Sequence, residues 1–188
     1  MMLQRPIMRE EKAIVLDFLP NGYPIDSRPM HMRLPVMQAI GKSHFLLMEL
    51  VPKKGAFVQP GEEVYMGEGK RDKVHHILGK ITVAKLTETG KSQLEHSLKL
   101  LVMEHEARFV DFFNKAMPVN TRFHQIELLP GIGKKHMWEI LEARKEPFKS
   151  FADIKERVKL IPDPEKSIAK RILEELSGTE KHMLFVGR

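Results

Sequence analysis

The spacing of apolar residues changes once along this chain, near Gly90, and that change limits the fold more than any single residue does. From Ala13 to about Gly90 the apolar residues come in short runs, Ala13–Phe18, Phe45–Val51, Val64–Met66 and Val74–Leu86. Turn formers separate them at Leu19-Pro20-Asn21-Gly22-Tyr23-Pro24, Pro52-Lys53-Lys54-Gly55 and Gly67-Glu68-Gly69-Lys70. Runs of this kind predict short strands joined by tight turns, so the first half reads as a small β-barrel or curled sheet. Between Lys91 and Ala116, Leu94, Leu98, Leu101, His105, Phe109, Phe112 and Ala116 fall three or four apart, as on one face of a long helix. Ser92 and Glu95 form a capping box at its start. Past Pro118 and Asn120 the pattern predicts four short helices up to Leu176. The expected class is α+β in two domains: a β domain over 1–90, a linking helix over 91–117, and an all-α domain with a tail over 118–188.

A hydrophobic fraction of 42% over 188 residues is enough for a core. Cysteine is absent, which excludes disulfides, thiolate nucleophiles and Cys-based zinc or iron–sulfur sites, and suits an intracellular compartment. No stretch approaches the roughly 20 apolar residues of a membrane span. Met1–Phe18 carries Arg9, Glu10, Glu11 and Lys12 where a signal peptide is apolar. A cytoplasmic location without a membrane partner is therefore expected. The net charge of +6 suits a polyanionic partner but also occurs in proteins that have none.

The run Leu129-Pro130-Gly131-Ile132-Gly133 carries the functional reading. Asn120 or Thr121 is placed to cap a helix to about Leu128, and Gly133 opens a second helix whose Met137, Ile140 and Leu141 face a core. Pro130 restricts φ, Gly131 and Gly133 permit backbone angles or approaches that a Cβ hinders, and Ile132 plugs the gap between the helices. A bare turn at a helix N-terminus points the N–H groups of Gly133, Lys134 and Lys135 outward with the positive end of the helix dipole behind them. That arrangement suits a phosphate oxygen, and the Lys134 and Lys135 side chains add charge there. It has no means of telling one base from another, so binding through it is insensitive to sequence and weakens with salt. The same turn with no ligand is the plainer alternative.

A second unit echoes the first. Ser150 caps a helix to about Leu160, with Asp153 three residues on, and Ile161-Pro162-Asp163-Pro164-Glu165-Lys166 leads into a helix ending at Leu176. The glycines are missing, Pro164 has no N–H, and Asp163 and Glu165 repel phosphate, so this hairpin is assigned a structural role.

Residues 126–145 and 148–176 resemble the doubled helix-hairpin-helix domains of DNA-repair nucleases, ligases and recombination proteins, departing from them at Met137, where a small residue is usual, and in the glycine-free second turn. The whole chain resembles the archaeal family known as domain of unknown function 655. Ala13–Tyr23, Phe45–Pro52, Val64–Gly67 and the hairpin carry that likeness. It implies an N-terminal β domain similar to an OB-fold, and an RNA- or DNA-binding role without an established activity. An OB-like face would offer Lys70, Arg71 and Lys73, among other cations, to single-stranded nucleic acid. Phe45, Phe57 and Tyr65 are stacking candidates there, although a core position suits each better.

Other signals are set aside. Gly67-Glu68-Gly69-Lys70-Arg71 has neither the spacing nor the context of a phosphate loop. His75 and His76 alternate along a strand and so point to opposite faces, and His31, His44, His105 and His136 have no ligand-spaced partner, so no metal or other cofactor is expected. Glu62-Glu63 and Glu174-Glu175 read as solvated pairs rather than as a nuclease centre. Trp138 reads as packed, and Lys181–Val186 as a short strand that docks elsewhere. The favoured function is a non-enzymatic nucleic-acid-binding protein, RNA or DNA, with Gly131, Ile132, Gly133, Lys134, Lys135, Lys70, Arg71 and Lys73 as its contacts. The alternative is an adaptor among ribosome- or transcription-associated proteins, in which Met183-Leu184-Phe185-Val186 finds the partner.

Overall fold

A computed structural model describes residues 9–187. Among them, alternating and continuous apolar runs form five antiparallel strands: β1 Lys12–Leu19, β2 Val36–Gly41, β3 Leu47–Pro52, β4 Glu63–Tyr65 and β5 Val74–Lys80. They curl into a half-barrel in the order β4-β1-β2-β3-β5. Ala13 and Val15 of β1, Met37 and Ala39 of β2, Met48 and Leu50 of β3, and Val64 and Val74 share one core. The central strands β2 and β3 are buried along their whole length, whereas β5 exposes His75 through Leu78. Helices α1 Glu88–Glu104, α2 Glu106–Lys115, α3 Lys134–Ala143, α4 Phe151–Arg157 and α5 Pro164–Leu176 complete the mixed α+β chain. None of them is long and apolar enough to cross a membrane. The fold divides into two compact units, one reaching Ser97 and resuming at Glu175, the other Leu98–Glu174.

Several elements differ from the expectations above. β2 went unread because Gln38 interrupts its apolar run. Gln38 is fully buried and hydrogen-bonded: its Nε2 donates to the Tyr23 hydroxyl at 2.9 Å and to the Lys85 carbonyl at 3.0 Å, and its Oε1 accepts from the Thr87 N–H at 3.0 Å. The Val74–Leu86 run is strand only to Lys80. His75 and His76 do not face opposite sides: Val51 pairs with His76 and Pro52 with Val74, a bulge that brings the two imidazole Nδ1 atoms to 2.7 Å. Phe57 is 66% exposed, edge-on to Phe18, rather than core.

The single helix expected over 91–117 is two. The ladder breaks at His105 (φ −102°, ψ 27°), whose carbonyl accepts from Arg108 at 3.0 Å and Phe109 at 3.4 Å and so begins a new helix. Its Nε2 is buried with no hydrogen-bond partner among the described residues. The start of α1 is also earlier than Ser92: the Thr87 hydroxyl accepts from the Gly90 N–H at 2.9 Å. Lys181–Val186 forms no strand. Glu175, only 2% exposed and not solvated as expected, accepts the N–H groups of Leu184, Phe185 and Val186 at 2.7, 3.0 and 2.9 Å.

Candidate functional site

The Leu98–Glu174 unit is built around Phe109, Phe113, Ile126, Ile140, Phe151, Ile154 and Ile168. Polar contacts hold its helices in place. Arg144 donates to the Phe113 and Ala116 carbonyls at 3.2 and 2.8 Å, closing the end of α2. Asn114 exchanges hydrogen bonds of 3.0 and 2.8 Å with the Phe148 backbone, and Glu106 accepts from the Phe151 N–H at 2.7 Å.

The first expected helix of the hairpin is a short 3₁₀ segment, Gln125–Leu128. Its cap is neither Asn120 nor Thr121 but His124, whose Nδ1 accepts from Ile126 at 3.2 Å while Glu127 accepts from the His124 N–H at 2.8 Å. Burial first, and the Arg144 cation second, hold the His124 pKa below its ordinary value. Asn120 instead closes the loop before it, its Oδ1 accepting from Arg122 at 2.8 Å and Phe123 at 3.0 Å.

The turn follows. Ile132 is 4% exposed beneath it. Gly131 sits at φ +83°, and a Cβ there would lie 3.1 Å from Pro162 Cγ, so this position demands glycine. Gly133 is different: its backbone is extended (φ −94°, ψ −176°) and an added Cβ would meet nothing within 4 Å. Gly133 caps α3, and its carbonyl accepts the Met137 N–H at 2.9 Å. The N–H groups of Lys134, Lys135 and His136 precede that first bond and have no intrahelical acceptor, and no side chain caps them. Both lysine side chains are exposed. Asp163 of the second turn is bound to Lys166 at 2.5 Å, and Ser150 caps α4 by accepting from Asp153 at 3.0 Å.

The chain thus brings Gly131, Ile132, Gly133, Lys134 and Lys135 together on one turn. Lys70, Arg71 and Lys73 lie in the other unit, between β4 and β5. There Arg71 donates to the Gly67 carbonyl at 2.7 Å, Lys73 pairs with Glu62, and Lys70 is exposed.

Beside the Gly131–Lys135 turn lies an open groove of about 870 Å³ whose walls include Phe123, Lys134, Met137, Trp138 and Leu141. Sequence reasoning missed it because it assigned Trp138 to the core. Met137 and Ile140 take the buried positions of α3, which turns Trp138 outward to 65% exposure. The signal was the i, i+4 spacing of Lys134 and Trp138, which puts both on one helix face. Among the described residues no three of His, Asp and Glu come together as a metal site would require.

Three comparisons bear on this architecture. The family described as "Protein of unknown function (DUF655)" matches residues 9–187. The uncharacterised protein MJ0038 of Methanocaldococcus jannaschii is 45% identical over 185 residues, which is 97% of this chain and 82% of the relative. The crystal structure of Af1531 from Archaeoglobus fulgidus, which carries the same family description, superimposes with a TM-score of 0.88 at 43% identity, covering 95% of this chain and 100% of that one.

Proposed function

The chain belongs to the DUF655 family, a family of proteins of unknown function, and we propose from its own geometry that it binds the phosphate backbone of nucleic acid without reading sequence. The observation that carries the proposal is the start of α3. Its first N–H groups have no acceptor among the described residues, its first two residues are exposed lysines, and the glycine before them leaves open space. Gly131 is explained by the fold, through its positive φ and its contact with Pro162. Gly133 meets no such steric demand: it is a favourable N-cap residue, and its bare backbone also leaves room for an approaching phosphate oxygen. In this reading the segment Gln125–Ala143 and the segment Phe151–Leu176 form a doubled helix-hairpin-helix domain and the β unit is OB-like, with no catalytic step of their own. The acidic second turn serves as scaffold.

The adaptor reading depends on an available apolar tail, and the backbone of Leu184–Val186 is instead held by Glu175, which favours the nucleic-acid reading. The test is fluorescence anisotropy with labelled RNA hairpin, duplex DNA and single strands over a salt series. Its control is the triple variant Gly133→Glu, Lys134→Glu, Lys135→Glu, which leaves Gly131 and the turn geometry intact. Salt-sensitive binding that the variant loses supports the proposal. A wild-type chain that binds no probe at low salt, or a variant that binds as well as wild type, refutes it.

A further inference from the structure

We propose that the groove between Phe123 and Trp138 stacks unpaired bases, so that the strand gripped at Gly133–Lys135 is single-stranded where it passes this site. The inference rests on the phosphate reading above and adds to it the form of the nucleic acid.

The two aromatic walls are unusual for a folded chain. Trp138 is 65% and Phe123 53% exposed, although large aromatics are usually withdrawn from water. Neither is on a loose segment. Trp138 stands one turn into α3 from Lys134. Phe123 sits on a loop closed by the Asn120 side chain, by a 2.8 Å bond from the Val119 N–H to the Phe123 carbonyl, and by the bridge between Pro118 and His124. Rings held in advance lose little freedom on binding.

Charge selects the occupant. Among the described residues the groove is lined by Lys134, Arg122 and Arg144 against one carboxylate, Glu127, which is engaged by the His124 N–H. Apolar faces in a cationic surround suit an anionic chain bearing flat rings. Lys134 belongs both to the groove and to the phosphate turn, so a strand held at α3 is led across Trp138. A duplex keeps its base faces stacked inside and can use the turn but not the groove.

Trp138 is the chain's one tryptophan, so its emission reports the groove directly. The experiment titrates the full chain with a 12-nucleotide single strand, the same strand with abasic sites, and a duplex with as many phosphates, reading tryptophan fluorescence and anisotropy together. Wild type should show quenching with the intact single strand and little with the other two. Trp138→Ala and Phe123→Ala should each weaken single-strand binding by roughly 10-fold or more while leaving duplex binding within about twofold. Trp138→Phe should restore part of the loss, and circular dichroism should confirm that the variants fold. If wild type binds but emission is unchanged and the abasic strand binds equally well, stacking is wrong while the phosphate turn stands. If no probe binds, both readings fall. A concentration-dependent dimer that Trp138→Ala abolishes would give the groove to a second copy of the chain and overturn the proposal.

Discussion

The carboxylate of Glu175 accepts the backbone N–H of Phe185 at 3.0 Å with both residues buried. It also serves Leu184 and Val186, so one side chain satisfies three donors of a segment that has no strand partner. Replacing it by Ala removes the acceptor that those three N–H groups share, and lost hydrogen bonds of this kind cost about 1–3 kcal/mol each where the donor is buried. Glu175→Ala should lower the urea midpoint and make cleavage at Lys181 by trypsin faster. Unchanged proteolysis would show that the tail is held by other contacts.

The two glycines of the turn should separate stability from binding. Gly131→Ala forces a left-handed residue against Pro162 and should cost about 1–2 kcal/mol. Gly133→Ala meets no atom of the described residues within 4 Å but gives up a good N-cap residue, so it should cost less than Gly131→Ala, under about 1 kcal/mol, while weakening nucleic-acid binding several-fold. Chemical denaturation and anisotropy on the same preparations check both.

Gln38 joins β2 to the start of α1 through Tyr23, Lys85 and Thr87. Tyr23 in turn donates to Glu49, and burial first and that carboxylate second push its pKa up to about 12. Gln38→Leu fits the volume but strands the Thr87 N–H and the Lys85 carbonyl, and should destabilise by about 2–6 kcal/mol, the sum of two such losses. Thermal unfolding of the variant measures it.

His124 makes stability depend on pH. Its pKa in the folded chain lies below its ordinary value, so the unfolded chain binds the proton more readily between the two pKa values. Stability therefore rises with pH there, is fully present above about pH 6.5, and is lost as pH falls toward the folded-state value. His124→Asn keeps an acceptor for the cap without the titration. Between pH 8 and pH 5.5 the wild type should lose more stability than this variant, and equal losses would remove His124 as the cause.

The alternation and turn residues made four of the five strands legible, and the helix periodicity located α3, α4 and α5. What stayed hidden was decided by long-range partners. β2 carries a buried glutamine whose four hydrogen-bond contacts come from residues 15 to 49 positions away. His105 keeps a helical spacing on both sides of a break that only the backbone reveals. At the candidate site the turn was readable because Pro, Gly and Lys act locally. The groove was not, since whether Trp138 faces in or out depends on which neighbour, Met137 or Trp138, fills the core.

One buried carboxylate also bears on the order in which the sheet assembles. Glu10, 5% exposed, accepts the N–H groups of Ser43 at 2.9 Å and His44 at 2.6 Å, inside the connection from β2 to β3. A Cβ on Gly41 would land on that carboxyl group. The acceptor lies more than 30 residues from its donors, and the space it fills exists only after β2 and β3 have turned back on each other. Contacts with so large a sequence separation form late. Glu10→Gln should therefore speed unfolding and leave the folding rate almost unchanged in stopped-flow kinetics, marking Glu10 as a latch that closes on a finished sheet.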